Sequence, residues 1–292
     1  MSLFANFHQR HNTLIYMANR TSIKQVILFV GGGQMASALI GALLKDDWPA
    51  DSIVVLDPSV AQRATISETF GVRTLPEPHE ELGAATTVIW AVKPQVLADA
   101  MRQVLPHLSD PLHISIAAGV RSDTLAQHAR SDRIIRVMPN TSVLVGAGVC
   151  GMCAGRNAKS EDKALAEAIL TPTGYYFWVQ CDDQLDAVTA VSGSGPAYVF
   201  HFMSAFQKAA QAIGFDESTS RELVLQVVGG AVKQASSSQH SFDTLQQNVT
   251  SKRGTTEAAI AVLNESGTAS ALNCAVRAAK ERATALADEL SR

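Results

Sequence analysis

From residue 24 to about 180, short and nearly continuous apolar runs alternate with amphipathic stretches of helical length. The runs fall at 26–30, 53–56, 87–92, 113–116 and 134–137, and two more, at 145–154 and 175–179, flank a helical stretch at 161–170. A strand with almost no polar residue needs cover on both faces, which a parallel sheet between two helical layers supplies. The pattern predicts a Rossmann-like α/β domain at 23–182, a mostly parallel sheet with helices on both faces. After Cys181 the alternation stops. The rest reads as helices at 185–191, 196–213, 217–235, 242–248, 256–263 and 269–290, an all-α dimerisation domain over 183–292. The stretch 222–235 is apolar over much of its circumference and contains Gly229-Gly230. Such a helix is normally buried, and in so small a domain the cover is expected from a partner subunit.

Gly31-Gly32-Gly33-Gln34-Met35-Ala36 follows the first strand and opens the first helix. It fits G-x-G-x-x-A: Gly31 for the tight turn, Gly33 for close approach of a pyrophosphate, Ala36 for helix-to-strand packing. The free N–H groups from Gln34 and Met35 onward face such an anion. The second strand ends at Asp57, followed by Pro58 and Ser59. An acid there accepts from the adenosine ribose and favours NADH; Ser59 with Arg63 forms a phosphate pocket that favours NADPH; or Asp57 simply caps the next helix. The cofactor choice between NADPH and NADH stays open. Ala91-Val92-Lys93-Pro94 closes a strand and starts a helix, with Pro94 suited to its first turn. A cation is poorly placed there against the helix dipole, so Lys93 either reaches solvent or meets a cofactor phosphate or ribose. Ile116-Ala117-Ala118-Gly119 and Met138-Pro139-Asn140-Thr141 end two further strands, where ligands of open α/β sheets lie. Val92, Lys93, Pro94, Ala117, Ala118 and Asn140 are therefore cofactor-side candidates.

Two loops carry the remaining signal. In Val191-Ser192-Gly193-Ser194-Gly195-Pro196-Ala197-Tyr198 the glycines permit unusual backbone angles and Pro196 suits a helix start; the alternative is a plain interdomain turn. Thr250-Ser251-Lys252-Arg253-Gly254-Thr255-Thr256 feeds directly into a helical run. Free N–H groups and the dipole at that point attract a small carboxylate, unless the loop is only an ordinary cap.

Together these segments resemble the pyrroline-5-carboxylate reductases. The Ala-Val-Ser-Gly-Ser-Gly-Pro-Ala-Tyr stretch at 190–198 and the Gly-Thr-Thr-Glu-Ala-Ala stretch at 254–259 are far more specific to that family than the glycine fingerprint, and the likeness runs from about 23 to 290. The resemblance implies NAD(P)H-dependent reduction of 1-pyrroline-5-carboxylate to L-proline, the last step of proline biosynthesis. It also implies homodimers with interleaved C-terminal helices, often assembled as pentamers of dimers. On this reading Gly254 and Thr255 N–H groups, with Ser251, hold the substrate carboxylate. Thr256 acts at the ring nitrogen as the catalytic hydroxyl, Asn248 supports the loop, and Ser192 lies on the substrate side. One departure stands out: Lys252-Arg253 occupy the places of a Pro and a Gly or Asn, which changes loop stiffness and charge.

Other classes fit less well. The hydroxyisobutyrate and 6-phosphogluconate dehydrogenases share a nucleotide domain and a helical domain. They carry a catalytic Lys in G-x-x-G-x-x-x-K, a spacing that neither His201 nor Lys208 meets. A non-catalytic nucleotide sensor follows if Lys252-Arg253 close the pocket. A net charge of -3 argues against nucleic acid, and no apolar run approaches the roughly 18 residues of a membrane span. Four cysteines in 292 residues make no disulfide framework and point to a reducing, cytoplasmic setting. Cys150 and Cys153 have C-x-x-C spacing, but inside an apparent strand they read as buried thiols, and no metal is expected. Residues 1–22 read as a disordered extension, with Met17 an alternative start.

Overall fold

The computed structural model describes residues 25–290; the readings of 1–22 and of Met17 lie outside them. Eight strands form one sheet: β1 (Ile27–Val30), β2 (Ile53–Leu56), β3 (Arg73–Leu75), β4 (Thr87–Trp90), β5 (Leu112–Ser115), β6 (Ile134–Met138), β7 (Gly148–Ala154) and β8 (Gly174–Val179). Their order is β3-β2-β1-β4-β5-β6-β7-β8. The first six strands are parallel, β7 pairs antiparallel with β6, and β8 is parallel to β7. β1, β2 and β4 are buried throughout. Alternate residues feed two cores. Ile27, Phe29, Ile53, Val55 and Ile89 pack with Leu39, Ile40 and Leu43 on one face. Leu28, Val30, Val54, Val88 and Trp90 pack with Leu97, Met101 and Val104 on the other. This is the expected α/β layering.

The helices of this unit are α1 (Gln34–Lys45), α2 (Val60–Phe70), α3 (Pro94–Val104), α4 (Ser122–Ala129), α5 (Ser160–Leu170) and α6 (Asp182–Val188). α3 buries Leu97, Met101 and Val104, one stripe at helical spacing. Three details differ from the sequence expectation. β3 was not foreseen, because Arg-Thr-Leu is too short and polar to read as a strand. Val145 belongs to a 3-10 turn over Thr141–Val145, and β7 starts only at Gly148. The helix expected at 185–191 begins at Asp182, and after Val188 it continues as a π-turn over Thr189–Gly193.

Two compact units result, one over residues 25–194 and 279–290 and the other over 195–278. The first thus runs past the 182/183 boundary suggested by texture, and charges explain why. Arg136, on β6 and 5% exposed in its side chain, bonds Asp182, and Arg121 bonds Asp183 and Asp186. Ser122 adds its N–H and hydroxyl to Asp182. Burial pushes the Asp182 carboxyl up, but Arg136 and the Ser122 N–H outweigh it and hold the group below its ordinary value. Leu185 and Val188 complete a small core with Cys153. Ionic and apolar contacts both tie α6 to the sheet.

The second unit contains α7 (Gly195–Ala212), α8 (Glu217–Ser236), α9 (Phe242–Asn248), α10 (Thr255–Glu265) and the start of α11 (Thr268–Leu290). Asp216 caps α8 at Thr219 N–H and Ser241 caps α9 at Thr244 N–H. Within 195–278 only Ala210, Ser220 and Val224 are buried. Phe200, Phe202, Val232, Phe242 and Leu272 are all at least half exposed.

Candidate active site

The nucleotide side is built at the carboxyl ends of β1, β2 and β4, where strand order reverses. Gly31 turns the chain at φ +96, and its N–H donates to Leu56 O at 2.8 Å. A Cβ there would stand 2.8 Å from Ala91 O and 2.9 Å from the Val92 side chain, so only glycine fits. The fingerprint and the Ala91–Pro94 segment are thereby wedged together. Gly33 is the N-cap of α1 and offers no side-chain acceptor, and a Cβ at this position would meet nothing within 4 Å. The opening N–H groups of α1 at Gln34 and Met35 thus face an open, anion-attracting cradle, which fits a dinucleotide pyrophosphate.

Asp57 is engaged by the backbone on both carboxylate oxygens. Its Oδ2 accepts from Gly32 N–H and its Oδ1 from Ser59 N–H, both at 2.8 Å. The cap of α2 is Ser59, whose hydroxyl accepts from Gln62 N–H. The helix-cap reading of Asp57 is therefore overturned: the carboxylate ties the glycine turn to the end of β2. Gln62, which the sequence left in the background, and Arg63, expected beside Ser59, complete this corner. Gln62 Nε2 donates to Gly32 O, and Arg63 Nη1 donates to Asp57 O at 2.8 Å. Their signal was spacing, since they sit three and four positions after a good N-cap residue. Lys93 is exposed at the N-cap of α3, ahead of Pro94, and makes no ion pair among the described residues.

The ends of β5 and β6 hold the other cofactor-side candidates. Ala117 is buried, with its N–H on Ser115 Oγ at 3.3 Å, while Ala118 is exposed. Asn140 is 7% exposed and acts as a clasp. Its Nδ2 donates to Ser192 O and its Oδ1 accepts from Val149 N–H, each at 3.1 Å. Ser192 Oγ closes the triangle on Val149 O. The Met138–Thr141 segment and the Val191–Ser194 part of the second motif therefore meet within the first unit, through a π-turn of the kind often found at functional sites.

The hydroxyl loop lies in the second unit. Asn248 ends α9, Thr250 Oγ1 donates to Gln246 O, and Gly254 N–H donates to Ser251 O. A Cβ on residue 254 would crowd the Ser251 hydroxyl and stand 3.1 Å from Ser251 O, so a side chain there would displace that hydroxyl. Gly254 is the N-cap of α10 and contributes no side-chain acceptor, which leaves the N–H groups of Thr255 and Thr256 open at the positive helix end. Arg253 adopts φ +59, in the left-handed region, and its N–H donates to Glu257 Oε2 at 2.6 Å.

Cys150 and Cys153 are buried in β7, and burial raises both thiols, Cys153 to about 11. Among the described residues no cluster of His, Cys, Asp and Glu is arranged to hold a metal ion, and no helix is long and apolar enough to cross a membrane.

A glycine turn at the switch point of a parallel sheet, joined to a helical unit, defines a two-part dinucleotide-dependent oxidoreductase. Comparisons with known proteins narrow the class. Residues 182–286 match the family described as pyrroline-5-carboxylate reductase dimerisation. Residues 26–119 match the family described as NADP oxidoreductase, coenzyme F420-dependent. The pyrroline-5-carboxylate reductase of Haemophilus influenzae is 42% identical over 243 residues, covering 82% of this chain and 89% of that protein. Among solved structures, the Coxiella burnetii pyrroline-5-carboxylate reductase superposes with a TM-score of 0.84 at 35% identity, covering 90% of this chain and 98% of that one. The Plasmodium falciparum enzyme with NADP bound gives 0.81 at 28%, with the same coverages. The chain belongs to the pyrroline-5-carboxylate reductase family.

Proposed function

We propose that this protein reduces 1-pyrroline-5-carboxylate to L-proline with a reduced nicotinamide nucleotide. The observation that carries the reading is the start of α10, a glycine-capped helix end flanked by hydroxyls at Ser251, Thr255 and Thr256. It matches what a small cyclic imino acid presents: one carboxylate and one polar ring nitrogen. Backbone N–H groups at Thr255 and Thr256, with the Ser251 hydroxyl, hold the carboxylate; Gly254, expected to donate as well, has its N–H on Ser251 O and serves as the bare cap that leaves this helix end open. The Thr256 hydroxyl contacts the ring nitrogen, Asn248 braces the loop, and Ser192 borders the substrate. The nucleotide is held by Gly31, Gly33, Gln34 and Met35 at the pyrophosphate and by Asp57 and Ser59 at the adenosine end. Val92, Lys93, Pro94, Ala117, Ala118 and Asn140 line its nicotinamide side.

When bound, the reduced nicotinamide supplies a hydride to the C=N carbon. The imine nitrogen arrives protonated, so the residues need only orient the ring and exclude water, without a strong base. The helical unit forms a homodimer, further assembled as a pentamer of dimers, and the protein works in the cytoplasm. Thr256→Ala is expected to lower turnover at least tenfold while nucleotide affinity stays unchanged. Near-normal turnover in steady-state assays would remove Thr256 from this role.

A further inference from the structure

We propose that a cavity beside the amino ends of β5 and β6 is a second ligand site, built for a small aliphatic acid that carries one further acceptor oxygen. The cavity holds about 710 Å3, within the range of small-molecule pockets. It lies by the last turns of α3 and α4, at the end of the sheet opposite the glycine turn. Its walls are largely apolar, from Ala98, Leu105, Leu108, Pro111 and Ala129.

His113 gives the cavity an inward donor. The residue is 3% exposed, and its Nδ1 accepts from Trp90 Nε1 at 3.2 Å, which leaves the ring proton on Nε2. Burial, more than the Arg133 charge, lowers the imidazole to about 4 and keeps it neutral at ordinary pH. Nε2 has no partner among the described residues and is not sealed off by protein, so its N–H opens on the cavity. A single convergent donor in a mostly apolar pocket is what orients a ligand.

The exposed part of the lining is cationic. Arg102 and His128 sit in the last turns of α3 and α4, where they offset the negative helix ends, and Arg102 also pairs with Asp99. Asp110, the acid in the lining, is paired with Arg133 at 3.1 Å. Arg130, just past α4, is exposed and makes no ion pair among the described residues. A carboxylate suits that guanidinium. A hydrocarbon chain suits the walls, and a carbonyl or hydroxyl oxygen suits His113.

Titration calorimetry of the full-length protein with 5-oxohexanoate, hexanoate and 2-hexanone tests the site without any turnover. The oxo acid is expected to bind about fivefold more tightly than hexanoate, which has no oxygen for His113. It should also bind at least about fivefold more tightly than 2-hexanone, which has no charge for Arg130. Arg130→Asn suits the left-handed backbone at φ +50 and removes the charge. It should lower oxo-acid affinity about fivefold, with Arg130→Lys restoring part of the loss. Ala98→Trp, which fills the cavity, should abolish oxo-acid binding while nucleotide binding, the sign of an intact fold, is retained. No binding of the oxo acid, equal binding of all three probes, or unchanged binding in either Arg130→Asn or Ala98→Trp would each overturn the proposal.

Discussion

Arg253 is one of three non-glycine residues, among those described, that hold a left-handed backbone. Its φ of +59 suits glycine or asparagine, and a side chain there costs about 1–2 kcal/mol. The N–H bond to Glu257 holds the turn in place but does not remove that cost. Arg253→Gly is therefore expected to stabilise the protein, by roughly 0.5–1 kcal/mol once the freer unfolded chain is counted. Thermal unfolding should show a rise in Tm of about 2–4 °C at most. A fall in Tm would mean that the guanidinium makes contacts whose value exceeds the strain. The unusual pair was visible in the sequence as a departure from the family pattern. That Arg253, and not Lys252, carries the left-handed geometry was not visible, because it depends on the turn adopted. Asp57 teaches the same lesson: its position at the end of β2 was legible, but its two backbone partners were set by the fold.

Among the elements, the buried strands were the most legible, because parallel strands covered on both faces leave long apolar runs. Boundaries set by polar contacts were not. Nothing in the texture near residue 182 announces that Arg136 and Arg121 draw α6 onto the sheet, although an Arg inside the run Ile134-Ile135-Arg136-Val137 hinted at a buried partner. β4 and β5 hold a comparable hidden contact. Trp90 Nε1 donates to His113 Nδ1 at 3.2 Å, and the two rings stack. Burial, helped by the Arg133 charge and opposed by Asp110, lowers the His113 pKa to about 4. The folded protein then binds fewer protons than the unfolded chain between about pH 6.5 and 4, so its stability falls as the pH drops through that window. The loss at low pH is on the order of 3 kcal/mol. His113→Gln keeps an acceptor for Trp90 and cannot titrate there, so its Tm should vary less than wild type between about pH 7 and 4. An equally steep acid limb in the variant would assign the effect to other groups.

At the scale of the whole molecule, the second unit does not bury its own apolar residues. Val227 and Val232 on α8 are both more than half exposed, and Gly229 and Gly230 present bare backbone between them. A helix with this much apolar surface left open marks an interface, and the match to a dimerisation family fits a homo-oligomer. Replacing Val227 and Val232 together by Asp should convert the proposed homodimer to smaller species in light scattering, with nucleotide binding by the first unit retained. A variant that keeps the wild-type mass would place the interface elsewhere. Reduction of the cyclic imine is tested most directly by mixing the purified protein with 1-pyrroline-5-carboxylate and NADPH. The account predicts that nucleotide absorbance falls as proline appears, one for one; nucleotide that binds yet stays reduced would contradict it and leave a non-catalytic nucleotide-binding protein.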